Sequence, residues 1–159
     1  MSDPAPANAL QALLDERAIT RLMTDYTRFV DFGEAARIAE LFTEDGVWDG
    51  PGVRMQGRAE VHEFFSRRET VSRRTSRHVI TNVAIDLVGP DEATALSYLV
   101  NFRHDSRGDV VLPVPADHPK YVGEYRDRFV RTAAGWRFAE RVFTNAFLRT
   151  RATGSGPQA

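Results

Sequence analysis

Apolar residues recur every three or four positions through the first part of the chain. Between Asn8 and Val30 this spacing follows the 3.6-residue period of an α-helix over about six turns. The sequence therefore predicts a long amphipathic helix there. A turn at Asp31-Phe32-Gly33 separates it from a shorter apolar repeat over 34–42, which predicts a second helix. Together the two segments predict a helical hairpin.

Short elements follow the hairpin, and strands follow them. The sequence predicts a strand at Val47-Trp48, a turn over 49–52, a returning strand over 53–56 and a third helix over 58–68. The pattern then alternates with a period of two, which is typical of strands, over 77–87, 92–104, 120–132 and 136–147. Helices that precede a run of hairpin-connected strands predict an α+β fold with an antiparallel sheet.

Both faces of the predicted strands carry apolar residues. On the strand over 77–87, one side holds Val79, Val83, Ile85 and Leu87, and the other side holds His78, Ile80, Asn82 and Ala84. A sheet that packs on helices through a single face alternates more cleanly than this. We therefore expect another subunit to cover the second face, which predicts a homo-oligomer.

Composition narrows the range of functions. The chain has 159 residues, with 21 basic and 22 acidic side chains and no cysteine, which fits one globular domain. The absence of cysteine excludes a thiol nucleophile, a cysteine-rich zinc site and an iron–sulfur cluster. A formal net charge of −1 argues against nucleic-acid binding, because that function needs a concentrated positive surface. The histidines match no zinc-binding spacing, so we expect no metal site.

One run of basic residues stands out against this balance of charge. Five arginines fall within eleven positions, namely Arg67, Arg68, Arg73, Arg74 and Arg77. The run is compatible with a site for a phosphate or an acidic partner, but a solvated helix end and loop is the commoner setting for such runs. No aromatic residues are interleaved through it to stack nucleic-acid bases.

The N-terminus and the lack of long apolar stretches bear on localisation. The chain opens with an acid and two prolines, where an export signal needs positive charge followed by an apolar run. No apolar stretch approaches the ~20 residues of a membrane span. We expect a cytoplasmic protein that binds no membrane, with flexible tails over 1–7 and 150–159.

Five segments of the chain, taken in order, carry a resemblance to a known family. They are Tyr26–Glu34, Ala39–Asp49, Gly57–Phe65, Arg77–Val83 and Gly123–Arg141. They resemble the SnoaL-like branch of the nuclear transport factor 2-like superfamily over roughly residues 10–147. The resemblance implies one domain over 8–149, in which a cone-shaped, curved antiparallel sheet wraps around N-terminal helices. It also implies an internal apolar pocket, which suits a small hydrophobic ligand.

The resemblance implies a catalytic pair. In dehydratase and dehydrochlorinase members, an Asp at the end of the first helix orients a His on the first long strand, and the His removes a proton. Asp31 and His78 match these positions. An imidazole with an ordinary pKa near ~6.5 is a usable base at neutral pH, and a carboxylate on its other nitrogen fixes its tautomer. From the residues alone, Asp31 also fits a plain helix end and His78 a structural strand histidine.

Further positions match the pattern of the bile-acid dehydratase. Tyr26 would donate a hydrogen bond to a substrate oxygen, and Arg141 would stabilise an enolate or hold a substrate carboxylate. Tyr26 also fits the apolar stripe of the first helix, where a core role is its alternative. Asn101 stands where the pattern has an Asp, and an amide cannot act as a general acid or base. The residues expected to line the pocket and bind substrate are Asn101, Trp48, Asn82 and Asp49.

These features predict a lyase of the dehydratase type, or an isomerase or cyclase, that uses no cofactor. Its substrate would be a small hydrophobic carbonyl compound, with His78 as general base and Asp31 as its orienting group. The alternative is a non-catalytic domain, either a small-ligand-binding module or an assembly subunit like the small subunit of a ring-hydroxylating dioxygenase. Dimers and trimers both occur among relatives, so the resemblance is compatible with either kind of homo-oligomer.

Overall fold

The computed structural model describes residues 6–71, 73–116 and 118–147. Along these residues the elements are α1 (Pro6–Asp31), a 3₁₀ helix (Ala35–Leu41), β1 (Phe42–Gly50), β2 (Val53–Gln56), α2 (Arg58–Val71), β3 (Arg74–Leu87), β4 (Glu92–Asp105), β5 (Tyr121–Thr132) and β6 (Gly135–Asn145). The predicted tail over 150–159 and most of that over 1–7 lie outside the described residues. The order of helices before strands matches the prediction.

The second predicted helix is a 3₁₀ helix. Its buried residues are Ala35, Ile38, Ala39 and Leu41, and the spacing of Ala35, Ile38 and Leu41 fits the three-residue period of a 3₁₀ helix. The strand after it begins at Phe42, five residues before the predicted strand at Val47. The residues between Phe42 and Val47 are mostly polar and show no strand pattern in the sequence. This part of β1 forms because tertiary contacts, here the pairing with β6, outweigh local preference.

The six strands form one curved, open sheet in the order β2-β1-β6-β5-β4-β3. Neighbouring strands pair antiparallel except β1 and β6, which run parallel. One face of the sheet packs against the helices, and the core lies between them. The aromatic side chains that are less than 2% exposed are Phe42, Phe65, Phe129 and Phe138. The structure therefore confirms the α+β fold with an N-terminal helical layer.

A β-bulge in β3 changes which side chains face the core. The pairing with β4 shifts by one residue between Thr81 and Ala84, where Asn82 adopts a positive φ of 51°. Before the bulge Ile80 packs on the core, and after it Ile85 and Leu87 do so. The prediction that Ile85 and Leu87 share a side with Val79 is wrong, because the extra residue reverses the alternation.

The opposite face of β3 and β4 is apolar and exposed in the single chain. Val79, Val83, Tyr98 and Phe102 each expose between 37% and 48% of their surface. The prediction that another subunit covers this face stays a prediction. In the described part of the chain, no helix is both long and apolar enough to pass through a membrane.

Candidate functional site

A cavity of about 530 Å³ lies between α2, the β1–β2 hairpin and the inner face of the sheet. Its apolar surface comes mainly from Trp48, Val53, Phe64, Phe65, Leu99 and Phe143. Its polar surface includes the side chains of Tyr26, His78 and Asn101. The volume lies within the range of pockets that enclose small organic ligands.

Asp31 and His78 meet at the edge of this cavity. The Nδ1 atom of His78 lies 2.6 Å from Oδ1 of Asp31, and the two side chains are 9% and 6% exposed. The backbone N–H of His78 donates to Oδ2 of Asp31 at 2.8 Å, and Ser76 Oγ donates to Oδ1 at 2.8 Å. A carboxylate at Nδ1 fixes the neutral ring with its proton on that nitrogen, which leaves Nε2 as a hydrogen-bond acceptor.

The end of α1 is by itself an unfavourable place for a carboxylate. Asp31 is the last residue of this helix, where the helix dipole disfavours negative charge. The chain then reverses through Gly33, whose φ of +81° favours glycine, and the Glu34 N–H donates to the backbone carbonyl oxygen of Phe29 at 3.0 Å. Donors from β3 supply the compensation that the helix end does not.

The same contacts set the ionisation of Asp31. Burial alone would raise the pKa of this carboxyl group, but the hydrogen bonds and charge of His78, together with the hydrogen bond from Ser76, outweigh it. The pKa of Asp31 is therefore lower than its ordinary value. At neutral pH the site holds a carboxylate beside the imidazole, which is the form that stabilises a protonated ring.

Tyr26 contributes a buried hydroxyl group to the cavity. Trp48 donates from Nε1 to its oxygen at 2.9 Å, and burial raises its pKa. Tyr125 also lines the cavity, with its ring centre 6.2 Å from that of Tyr26; burial raises the pKa of Tyr125 well above the ordinary value. Because the Tyr26 oxygen accepts the bond from Trp48, its own hydroxyl proton can be donated to a ligand.

Arg141 lies behind the two tyrosines rather than at the cavity surface. Its side chain is fully buried, and it donates from Nε and Nη2 to both oxygens of Asp127 at 2.8 and 2.7 Å. Its guanidinium carbon is 4.3 Å from the ring centre of Tyr26 and 4.1 Å from that of Tyr125. The predicted direct contact with substrate needs revision, because Arg141 reaches the cavity only through these rings.

The Arg141–Asp127 pair stays ionised despite its burial. Burial raises the pKa of Asp127, and Arg141 opposes that shift. Burial would lower the pKa of Arg141, but Asp127 holds it above the ordinary value. The bidentate geometry decides between these directions, since a guanidinium that donates to both oxygens needs a carboxylate as its partner.

The substrate-binding predictions divide into two groups. Trp48 and Asn101 line the cavity. Asn101 lies directly across from His78 in the β3–β4 pairing, and its amide donates to backbone oxygens at 3.3 and 3.4 Å. Asn82 sits at the exposed bulge of β3, and Asp49 pairs with Arg54 on the β1–β2 hairpin at 2.5 Å. Both of these are outside the cavity lining.

Several residues of the site were not predicted from the sequence. One is Ser76, which donates a hydrogen bond to Asp31. The others line the cavity: Tyr121, Tyr125, Phe64, Arg74 and Arg103. For some of them the sequence held a usable signal, because Arg74 and Ser76 share the strand phase of His78, and Arg103 shares that of Asn101. The tyrosines carried no signal apart from strand phase. Within the described ranges, no three His, Cys, Asp or Glu side chains are grouped to hold a metal ion.

The fold and this cavity identify the class of protein. The sequence pattern of the SnoaL-like domain family matches residues 11–142. The chain belongs to the SnoaL-like domain family, which confirms the resemblance seen in the sequence. A comparison with curated protein sequences found no match.

Solved structures with the same fold cover nearly the whole chain. A scytalone dehydratase-like protein from Novosphingobium aromaticivorans is 25% identical, with a TM-score of 0.73, covering 93% of this chain and 97% of that one. An NTF2-like protein with a cystatin-like fold from the same organism is 27% identical, with a TM-score of 0.73 and 92% of each chain covered. A hexachlorocyclohexane dehydrochlorinase is 16% identical, with a TM-score of 0.74, covering 94% and 97%; that likeness concerns the fold alone.

Proposed function

We propose that the protein is a lyase of the dehydratase type that acts on a small, largely hydrophobic carbonyl compound. The observation that carries this proposal is the 2.6 Å contact between Asp31 Oδ1 and His78 Nδ1 at the edge of the 530 Å³ cavity. A histidine that serves only to fill a core needs neither a buried carboxylate at one nitrogen nor a cavity beside its ring.

The proposed reaction begins with proton abstraction. His78 Nε2 takes a proton from the carbon next to the substrate carbonyl, and Asp31 stabilises the imidazolium that forms. The Tyr26 hydroxyl, which lines the cavity, would donate a hydrogen bond that stabilises the enolate oxygen. A hydroxyl group on the next carbon then leaves with the proton held by His78. This releases water, forms the carbon–carbon double bond and restores the neutral base.

The family supports an enzyme, and one neighbour supports the reaction type. This solved structure of the same fold, 25% identical to this chain, is a scytalone dehydratase-like protein. Its name describes an elimination, in which a base removes a proton while a group leaves from the adjacent carbon. An isomerase would share the first step and return the proton to a different carbon, so the reaction products separate these two outcomes.

Solvent-deuterium exchange tests the base without requiring the true substrate. The protein is incubated in D₂O with 2-tetralone and with 6-carboxy-2-tetralone, and ¹H NMR follows loss of the protons next to the carbonyl. We expect wild type to accelerate exchange and His78→Gln to lower that rate by roughly 10²- to 10⁴-fold. A panel of β-hydroxy ketones, followed by mass spectrometry for loss of water, then tests the dehydration itself.

A matched control separates catalysis from folding. His62 is an exposed histidine on α2 whose ring contacts Ser66, so His62→Gln is expected to leave exchange unchanged. Both variants should melt within a few degrees of wild type. Exchange that survives His78→Gln would contradict the assignment of the base. Binding of these ketones without exchange by wild type would favour the non-catalytic binding module instead.

A further inference from the structure

Arginines form an unexpected part of the cavity wall. Arg67 and Arg68 from the end of α2, Arg74 from β3 and Arg103 from β4 all line the cavity. Among the described residues, no Asp or Glu lines it. Arg67 stays mostly in water, but the side chains of Arg74 and Arg103 are largely buried. Burying guanidinium groups there carries a desolvation cost that a neutral hydrophobic ligand does not offset. The lining charge therefore points to an anionic group on the ligand.

Two of these arginines share one carboxylate at the rim. Arg74 Nε lies 2.6 Å from Oδ1 of Asp105, and Arg103 lies 2.7 Å through Nη2 and 3.0 Å through Nε from Oδ2. The arginine side chains are 18% and 22% exposed, whereas Asp105 is 50% exposed. Burial opposes the effect, but the hydrogen bonds and charges of both arginines lower the pKa of Asp105 to about 2. One half-exposed carboxylate thus faces two largely buried cations.

Arg68 adds a third positive charge to the same corner. Burial, followed by the positive charges of Arg74 and Arg103, lowers its pKa, while Tyr26 and Tyr125 act in the opposite direction. Arg68, Arg74 and Arg103 line the same cavity, and Arg68 and Arg74 also line a small neighbouring pocket together, which places their guanidinium groups at one corner. The other arginines of the basic run lie elsewhere, since Arg73 pairs with Asp109 and Arg77 stacks on Phe32.

The strand register fixes where this corner lies relative to the base. Arg103 pairs across the sheet with Ser76, and Asn101 pairs with His78. These two rows are two residues apart along the strands, which corresponds to about 7 Å. A fused bicyclic aromatic ring system spans a similar length, so a substituent at one end of it would reach the arginines while the other end faces His78.

We propose that the cavity binds a substrate bearing a carboxylate, and that Arg68, Arg74 and Arg103 hold this carboxylate about the length of a fused bicyclic ring from His78. The part of this inference that concerns the reacting carbon rests on the proposed function. The carboxylate site itself rests on the cavity charges alone. Asp105 occupies two of the guanidinium groups and competes with the ligand for them.

Paired ligands that differ only in charge test the site by binding. Isothermal titration calorimetry with 2-naphthoate and the neutral 2-naphthamide is expected to give an affinity for the carboxylate at least about tenfold higher. Arg103→Gln and Arg74→Gln should each weaken naphthoate binding by about tenfold and leave naphthamide binding within about twofold. Arg54→Gln is the control, because the Arg54–Asp49 pair lies outside the cavity lining. Equal affinities for the two ligands in wild type would overturn the proposal.

Asp105→Asn gives the opposite and sharper signal. Removing the competing carboxylate should strengthen naphthoate binding several-fold and leave naphthamide unchanged. If the arginine cluster only holds the rim together, Asp105→Asn and Arg103→Gln would weaken both ligands alike, and that result would overturn the proposal. Tighter binding of 2-naphthyl phosphate than of naphthoate would overturn the carboxylate assignment in favour of a phosphate.

His78→Gln keeps this test separate from the test of the reaction. The carboxylate site predicts that His78→Gln keeps the preference for naphthoate over naphthamide. If wild type shows no preference for naphthoate but exchange depends on His78, the carboxylate site is contradicted and the assignment of the base stands. If wild type prefers naphthoate but exchange does not depend on His78, the assignment of the base is contradicted and the carboxylate site stands.

Discussion

Two buried pairs, Arg141–Asp127 and His78–Asp31, each join a carboxylate to a basic side chain, and they differ in whether the basic side chain lines the cavity. In the Arg141–Asp127 pair, the sealed pair, both side chains are fully buried and Arg141 donates two hydrogen bonds to Asp127. In the His78–Asp31 pair, the open pair, one ring nitrogen is bound to the carboxylate and the ring itself lines the cavity. The comparison teaches that burial and pairing do not distinguish a structural pair from a reactive one. The decisive feature is an unoccupied atom of the pair that faces a space for a ligand.

The largest expected effect concerns the sealed pair. Arg141→Met leaves the Asp127 carboxylate buried without its partner, and such changes cost about 3–5 kcal/mol of unfolding free energy. Urea denaturation followed by circular dichroism measures the loss. The double variant Arg141→Met with Asp127→Leu should recover part of it, because neither charge is then left alone. A single variant as stable as wild type would contradict the structural role of this pair.

A smaller effect on stability, but a large one on activity, is expected at the open pair. Asp31→Asn keeps the side-chain volume and removes the charge that stabilises the imidazolium. We expect a loss of about 1–2 kcal/mol in unfolding free energy and a fall of roughly 10²-fold or more in the exchange rate. Serine at position 76 offers a control, since Ser76→Ala removes one hydrogen bond and keeps the carboxylate. Full exchange activity in Asp31→Asn would contradict its proposed role as the orienting group.

The smallest expected effect is the acid sensitivity of the open pair. The pKa of Asp31 is lower in the folded state than its ordinary value of 3.8, so the unfolded chain binds the proton more readily. The stabilisation by Asp31 is therefore complete above the unfolded pKa and is lost as the pH falls through the folded pKa. Unfolding free energies of wild type and Asp31→Asn should converge below about pH 4. A difference that stays constant from pH 7 to pH 3 would contradict this.

Much of the fold followed from local patterns in the sequence. The period of α1, the change to alternation after α2 and the tight connections between later strands all lie in short stretches of chain. Beyond local patterning, Asp31 and His78 were assigned as a pair through the family resemblance. Their contact joins residues 47 positions apart, and no spacing rule specifies such a contact.

The partner of Arg141 shows why other parts of the site could not be predicted. Starting from the turn after Thr132, regular hairpin pairing would place Asp127 opposite Glu140. The register shifts by one residue between Arg128 and Phe129, so Asp127 lies opposite Arg141 instead. The bulge at Asn82 similarly reverses the side chains of β3. Such insertions depend on how the whole sheet bends, and single residues within a strand do not reveal them.

Asp31 also accepts a hydrogen bond from the main chain of residue 78, not only from its ring. That bond ties the end of the first helix to the first long strand whichever side chain position 78 carries, proline excepted. One carboxylate oxygen of Asp31 thus contacts the imidazole, and the other accepts the bond that joins the helix to the strand. The imidazole can therefore be replaced during evolution without loss of the bond that holds the helix. Relatives that keep this fold but lack the base are expected to be stable, inactive proteins.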